Sequence, residues 1–125
     1  MRALAVLLVL LLGAMPCVAK IPEIPRFRIV GPSDGLPSTM VVAIHQDRAG
    51  YLWLGTLDGL VRYDGAGFRT WRHDPSDPTS LPCNAIQALH IDALDRIWIG
   101  CGKTLSVMDA GRGHFRHYRA VDYPS

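Results

Sequence analysis

Between residues 40 and 119 the apolar positions gather in short runs separated by turn residues, with no stripe at helical spacing. "MVVAIHQ" (40–46) and "AIQALHI" (85–91) are rich in branched residues and too short to favour a helix. Each stops at a turn signal, Asp47-Arg48-Ala49-Gly50 or Asp92-Ala93-Leu94-Asp95. "YLWLGT" and "RIWIGC" then return as second strands, "GLVRYD" and "TLSVMD" follow as third strands, and "FRTWR" and "FRHYR" alternate as outer fourth strands. Pro75, Pro78 and Pro82 punctuate the long link between the two sets, because proline cannot donate to a ladder.

The two sets are copies. Sliding the chain by 45 residues matches Leu36 with Leu81, Pro37 with Pro82, Ala43 with Ala88, His45 with His90 and Asp47 with Asp92. In the same register Trp53 falls on Trp98, Gly55 on Gly100, Leu60 on Leu105 and Asp64 on Asp109. A two-residue insertion then restores the match of Phe68 with Phe115. A period of this length with four antiparallel strands predicts an all-β fold of β-propeller blades, about two blades of an incomplete propeller. Residues 31–79 form the first predicted blade and 80–125 the second. Residues 20–30 precede them, with Phe27 to Val30 as an outer strand that would close the last blade of a full ring, since Phe27-Arg28 matches Phe68-Arg69 and Phe115-Arg116.

An inner propeller strand is covered on both faces, so it need not alternate. Trp53 and Trp98 are then packing residues between blades, and Gly55 and Gly100 permit close backbone approach beside those rings. His45 and His90 recur at one blade position and are read as pointing into different blades, which argues against a shared metal site. "GCGKT" (100–104) looks like the end of a phosphate loop, but Ile97 stands where that loop needs glycine, and the segment lies between two strands. The basic run "GRGHFRHYR" (111–119) reads as a charged outer edge that discourages strand addition.

Composition narrows the setting. Residues 1–19 read as a secretory signal peptide: Met1-Arg2, an apolar run from Ala3 to Leu12, a break at Gly13 to Pro16, and cleavage after Ala19. The run is shorter than the roughly 20 residues a membrane helix needs, so a retained anchor is the lesser alternative. Pro16 also fits poorly with a lipoprotein reading of Cys17. The leader inflates the 49% hydrophobic content, and a net charge of +2 is too weak to argue for a polyanionic partner. Nucleic acid therefore drops out. No cofactor is expected.

Cys83 and Cys101 remain after cleavage, in a compartment that permits disulfides. They occupy the places of Ser38 and Thr56, and a position that accepts Ser or Thr requires no bridge. They are read as small, half-buried residues, with a disulfide as the lesser alternative.

"DGLPSTMVVAIHQDRAGYLWLGTLDGLVRYDGAGF" resembles the two-component regulator propeller repeat, the periplasmic sensor repeat of hybrid sensor kinases and some membrane-bound diguanylate cyclases. The resemblance runs from Phe27 to about Ser125, carried best by Asp34-Gly35-Leu36-Pro37, Asp47, Trp53, Gly55-Thr56, Gly59-Leu60 and Tyr63-Asp64. Cys101, Lys103 and Thr104 depart from its pattern in the second copy. It implies a periplasmic module that binds a small ligand, often a suspected carbohydrate, and signals through a downstream membrane segment to an output domain. The further blades of the same polypeptide would be its partners. On this reading the chain is the N-terminal fragment of a longer, inner-membrane-anchored receptor and is itself not an enzyme. A secreted glycan-acting propeller enzyme and a purely structural or protein-binding propeller stay open as alternatives.

Two blades cannot close a ring of the usual four to eight, so on their own they should be marginal or associate. A ligand would meet the loops into the inner strand and between the second and third strands. Asp34 and Asp58 in the first blade and Lys103 in the second are the candidate contacts. Asp58 and Lys103 share one repeat position with opposite charge, so packing does not dictate that residue.

Overall fold

A computed structural model describes residues 19–120; the predicted leader, except Ala19, lies outside that range. Eight strands follow a short 3₁₀ turn at Pro32–Asp34. They are β1 (Val41–Gln46), β2 (Leu52–Thr56), β3 (Gly59–Tyr63), β4 (Phe68–Trp71), β5 (Ala88–Ile91), β6 (Ile97–Cys101), β7 (Thr104–Met108) and β8 (Phe115–Arg119). They make two antiparallel sheets in the orders β1-β2-β3-β4 and β5-β6-β7-β8. The element order is the one the repeat predicts.

Cross-strand register assigns the faces. One face of the first sheet carries Ala43, Trp53, Gly55, Leu60 and Trp71, because Ala43 pairs with Gly55, Gly55 with Leu60 and Leu60 with Trp71. That face meets Leu89, Ile97, Ile99, Met108 and Phe115 of the second sheet, with Leu81 and Ile86 of the link, in a single apolar core. Trp53 is fully buried there and stacks at a tilt on Trp71, 5.0 Å between centroids. Trp98 is only half-buried, on the far face of the second sheet, against Tyr118. Gly55 fits because a Cβ there would come within 2.9 Å of Ile86. The close approach is thus to the link residue rather than to the indole.

β5 starts three residues later than the apolar run. The Ile86 N–H crosses to the Thr56 carbonyl of the first sheet at 2.9 Å, so this part of the run stitches the sheets together. Phe27 to Val30 forms no strand: Phe27 and Ile29 stand about 90% exposed. An outer strand exists only through its ladder, and this segment pairs with none of the described strands.

Three further expectations are corrected. Cys83 and Cys101 are joined by a disulfide, with Cα atoms 6.0 Å apart. Ser38 and Thr56 stand at the matching positions of the first blade, so the repeat carried no signal for a bond that the second blade makes. His45 and His90 do not diverge: their rings meet edge to face with centroids 5.8 Å apart. Neighbouring inner strands converge, which a reading of one blade at a time misses. Arg112 leaves the basic edge and turns inward, its side chain only 13% exposed.

Candidate functional site

The turn between β2 and β3 is built around Thr56, whose side chain is fully buried. Its hydroxyl accepts from the Asp58 N–H at 3.0 Å and donates to the Gly59 carbonyl at 2.8 Å. Gly59 has φ +114°, and a Cβ there would sit 2.5 Å from the Trp71 carbonyl oxygen, so only glycine fits. The loop leading into β5 holds the turn from the other side. The Gly59 N–H donates to the Asn84 carbonyl at 2.7 Å, while the Asn84 side-chain oxygen accepts from the His73 N–H at 2.7 Å.

Asp58 projects from this turn and pairs with Arg72 at 3.1 Å, both side chains nearly half exposed. Lys103 occupies the matching turn between β6 and β7 and is exposed. Arg119 matches Arg72, so the second blade sets two cations where the first has an ion pair. Neither Lys103 nor Arg119 forms a salt bridge among the described residues. In that blade Cys101 replaces Thr56, and the disulfide to Cys83 ties the loop and the strand end where the first blade uses a hydroxyl.

Asp34 stands apart from these turns. It closes the 3₁₀ turn by accepting from the Gly31 N–H at 3.0 Å and pairs with Arg28 at 2.7 Å. The Gly31 N–H, and then Arg28, hold its carboxyl below the usual range. The adjacent Gly35 lies against Phe68 at the start of β4, whereas Arg72, the partner of Asp58, follows that strand's end. β4 therefore separates Asp34 from Asp58 by roughly 10 Å. The structure brings Asp58 and Lys103 to equivalent turns and leaves Asp34 at the outer edge.

A polar cluster between the sheets was missed in the sequence. The Trp53 indole N–H donates to Asp47 at 2.7 Å, and Trp98 repeats the bond to Asp92 at 2.8 Å. Arg112 reaches from the turn between β7 and β8 to Asp47 at 3.2 Å and Asp95 at 2.9 Å, and lies 5.1 Å over the Trp53 ring. Burial pushes the Asp47 carboxyl up, but the bonds from Trp53, Tyr51 and Arg112 outweigh it and leave the group below its ordinary range. The six-residue Asp-to-Trp spacing, identical in both copies, was the available signal. Nothing in the sequence marked Arg112. Every member of this cluster is engaged by another, so its geometry is that of a clamp between blades. Among the described residues no three His, Cys, Asp or Glu side chains gather as a metal site, the His45–His90 pair included.

Two four-stranded antiparallel sheets in tandem, packed face to face, are β-propeller blades. Residues 35–58 match the two component regulator propeller family. The chain is 46% identical over 55 residues to "Histidine kinase P4" of Formosa agariphila, a match covering 44% of this chain and 4% of that protein. It is also similar to the extracellular domain of a candidate hybrid two component system from B. thetaiotaomicron, at 19% identity. That likeness has a TM-score of 0.45 and covers 78% of this chain and 20% of the other. The chain thus spans a small part of the length of both proteins.

Proposed function

We propose that these blades belong to the extracytoplasmic, ligand-sensing propeller of a bacterial signal-transduction receptor, located in the periplasm. The observation that carries the reading is the two component regulator propeller match at residues 35–58, supported by the similarity to a histidine kinase. The output domain and the membrane segment would lie elsewhere in the longer receptor, and its further blades would be partners of these two. The ligand is a small molecule of the carbohydrate class.

Asp58 and Lys103 are its contacts in this reading, with Asp34 an outlying third. The turn around Asp58 is held by the Thr56 hydroxyl and by backbone groups, not by the Asp58 side chain, so that side chain can vary without unfolding the blade. Replacing Asp58 or Lys103 by alanine in a receptor that contains these blades tests the idea by calorimetric titration against an oligosaccharide panel. Loss of binding with normal melting supports the site. Unchanged affinity in both variants eliminates it, and no response to any sugar removes the carbohydrate assignment.

A further inference from the structure

Arg62 of β3 and Arg69 of β4 stand directly opposite each other in the ladder of the first blade. Like charges at opposed cross-strand positions repel, so the pair destabilises the sheet unless an anion lies between them. Asp64 is the nearest acid along the chain, but its Oδ1 accepts from the Ala66 and Gly67 N–H groups at 2.9 and 2.8 Å and closes the turn instead. Neither arginine forms a salt bridge or a side-chain hydrogen bond among the described residues. Two forks of N–H donors thus lie side by side without an acceptor from the protein.

The second blade shows that the architecture does not require this pair. Val107 stands where Arg62 does, and Arg116, the counterpart of Arg69, is matched by Asp109 at 3.0 Å. The first blade therefore adds a cation and diverts the matching acid to its turn. It also gives both cations an aromatic bed. The Arg62 guanidinium carbon lies 4.6 Å over the Tyr51 ring and 5.9 Å from the centroids of Trp53 and Trp71, and that of Arg69 lies 4.6 Å over Trp71. Guanidinium groups resting on ring faces lose rotamer freedom before any ligand arrives, and Arg62 is already half-buried. Less freedom and less water are then left to lose when an anion binds, which strengthens a charge-assisted hydrogen bond there.

We propose that Arg62 and Arg69 form a binding site for an oxyanion, a carboxylate, sulfate or phosphate group held by both guanidinium forks at the seam between the blades. Arg112 of the second blade lies 5.1 Å over the same Trp53 ring, but Asp47 and Asp95 already pair with it, so it takes no part. The Gly67 and Ala66 N–H groups hold the Asp64 carboxyl below its ordinary range, with a smaller share from Arg62. Asp64 therefore stays ionised and offsets part of the charge of the pair. The site is separate from the contacts proposed above and does not rest on them. Gly59, beside Asp58, starts β3, and Arg62 lies three residues along it, roughly 10 Å away and next to the opposite turn.

Nitrogen-resolved NMR of the arginine Nε–H groups in the purified chain tests the proposal. Sodium sulfate, phosphate and acetate are each titrated in place of chloride at constant ionic strength. The Arg62 and Arg69 signals should shift together and saturate in the low millimolar range, the scale expected for two charge-assisted forks on a small anion. The signal of Arg112, already paired, should hold still. Saturation by sulfate and phosphate alone assigns a tetrahedral oxyanion, and saturation by acetate alone a carboxylate. Arg62→Val copies the second blade, so it should keep the far-ultraviolet circular dichroism while weakening the Arg69 response by about tenfold or more. Arg69→Met should do the same to Arg62. Signals that move linearly with anion concentration, or no more than that of the exposed Arg26, overturn the proposal. An Arg69 response that Arg62→Val leaves unchanged also overturns it. The wild-type titration decides even if a variant fails to fold.

Discussion

Replacing Cys83 and Cys101 by serine should remove about 3 kcal/mol of stability. The bond joins residues 18 apart in sequence, and loop-closure entropy for a loop of that length gives ~3 kcal/mol at 25 °C. In a domain of this size each kcal/mol moves the melting temperature by roughly 4–8 °C, so a fall of roughly 12–24 °C is expected. The first blade shows how the same place is held without a bond. Thr56 there makes two hydrogen bonds that tie the turn, worth about 1 kcal/mol each. The pair Cys83→Ser with Cys101→Thr copies that arrangement and should recover about 1–2 kcal/mol of the loss. Calorimetric melting of the wild type and both double variants, with and without a thiol reductant, measures all three quantities. Only the wild type should respond to reductant. If the serine pair melts within about 2 °C of the oxidised wild type, the loop argument is wrong. If the threonine version is no better than serine, the equivalence of the two blades is wrong.

Asp47, whose side chain is 2% exposed beside Arg112, keeps only its Trp53 and Tyr51 bonds when Arg112→Met retains the apolar stem and removes the charged fork. A loss of about 2 kcal/mol should appear in urea unfolding, and a change under about 0.5 kcal/mol would show that the clamp is incidental. Gly59→Ala should destabilise the chain by more than about 2 kcal/mol, because the new Cβ meets the Trp71 carbonyl at 2.5 Å in a left-handed conformation; thermal melting reads it. Asp47 is held below its ordinary range in the folded chain, so the unfolded chain takes up its proton first as the pH falls. Its contribution is therefore complete above the unfolded value of about 4 and disappears as the pH drops through the lower folded value. Urea midpoints measured from pH 5 to pH 2 should fall, and Asp47→Asn should flatten that slope while lowering stability at neutral pH.

Strand order and blade architecture were legible in the chain because they rest on short-range patterns. Four short apolar runs between turn signals, repeated with nine identities at one offset, admit few folds. The turn positions of Asp58 and Lys103 were legible for the same reason, since a repeat carries each position from one copy to the next. What joins one copy to the other was not legible. The meeting of His45 with His90, the diversion of Ile86 to the Thr56 carbonyl and the inward turn of Arg112 all depend on how one sheet lies on its neighbour. The separation of Asp34 from Asp58 likewise depends on which end of β4 each approaches. Periodicity reports which side of a strand faces apolar surroundings and holds no distance between strands far apart in sequence. Those distances arise when the Trp53 face settles on Ile97 and Ile99, because close packing then leaves each side chain along the seam only a few places to go.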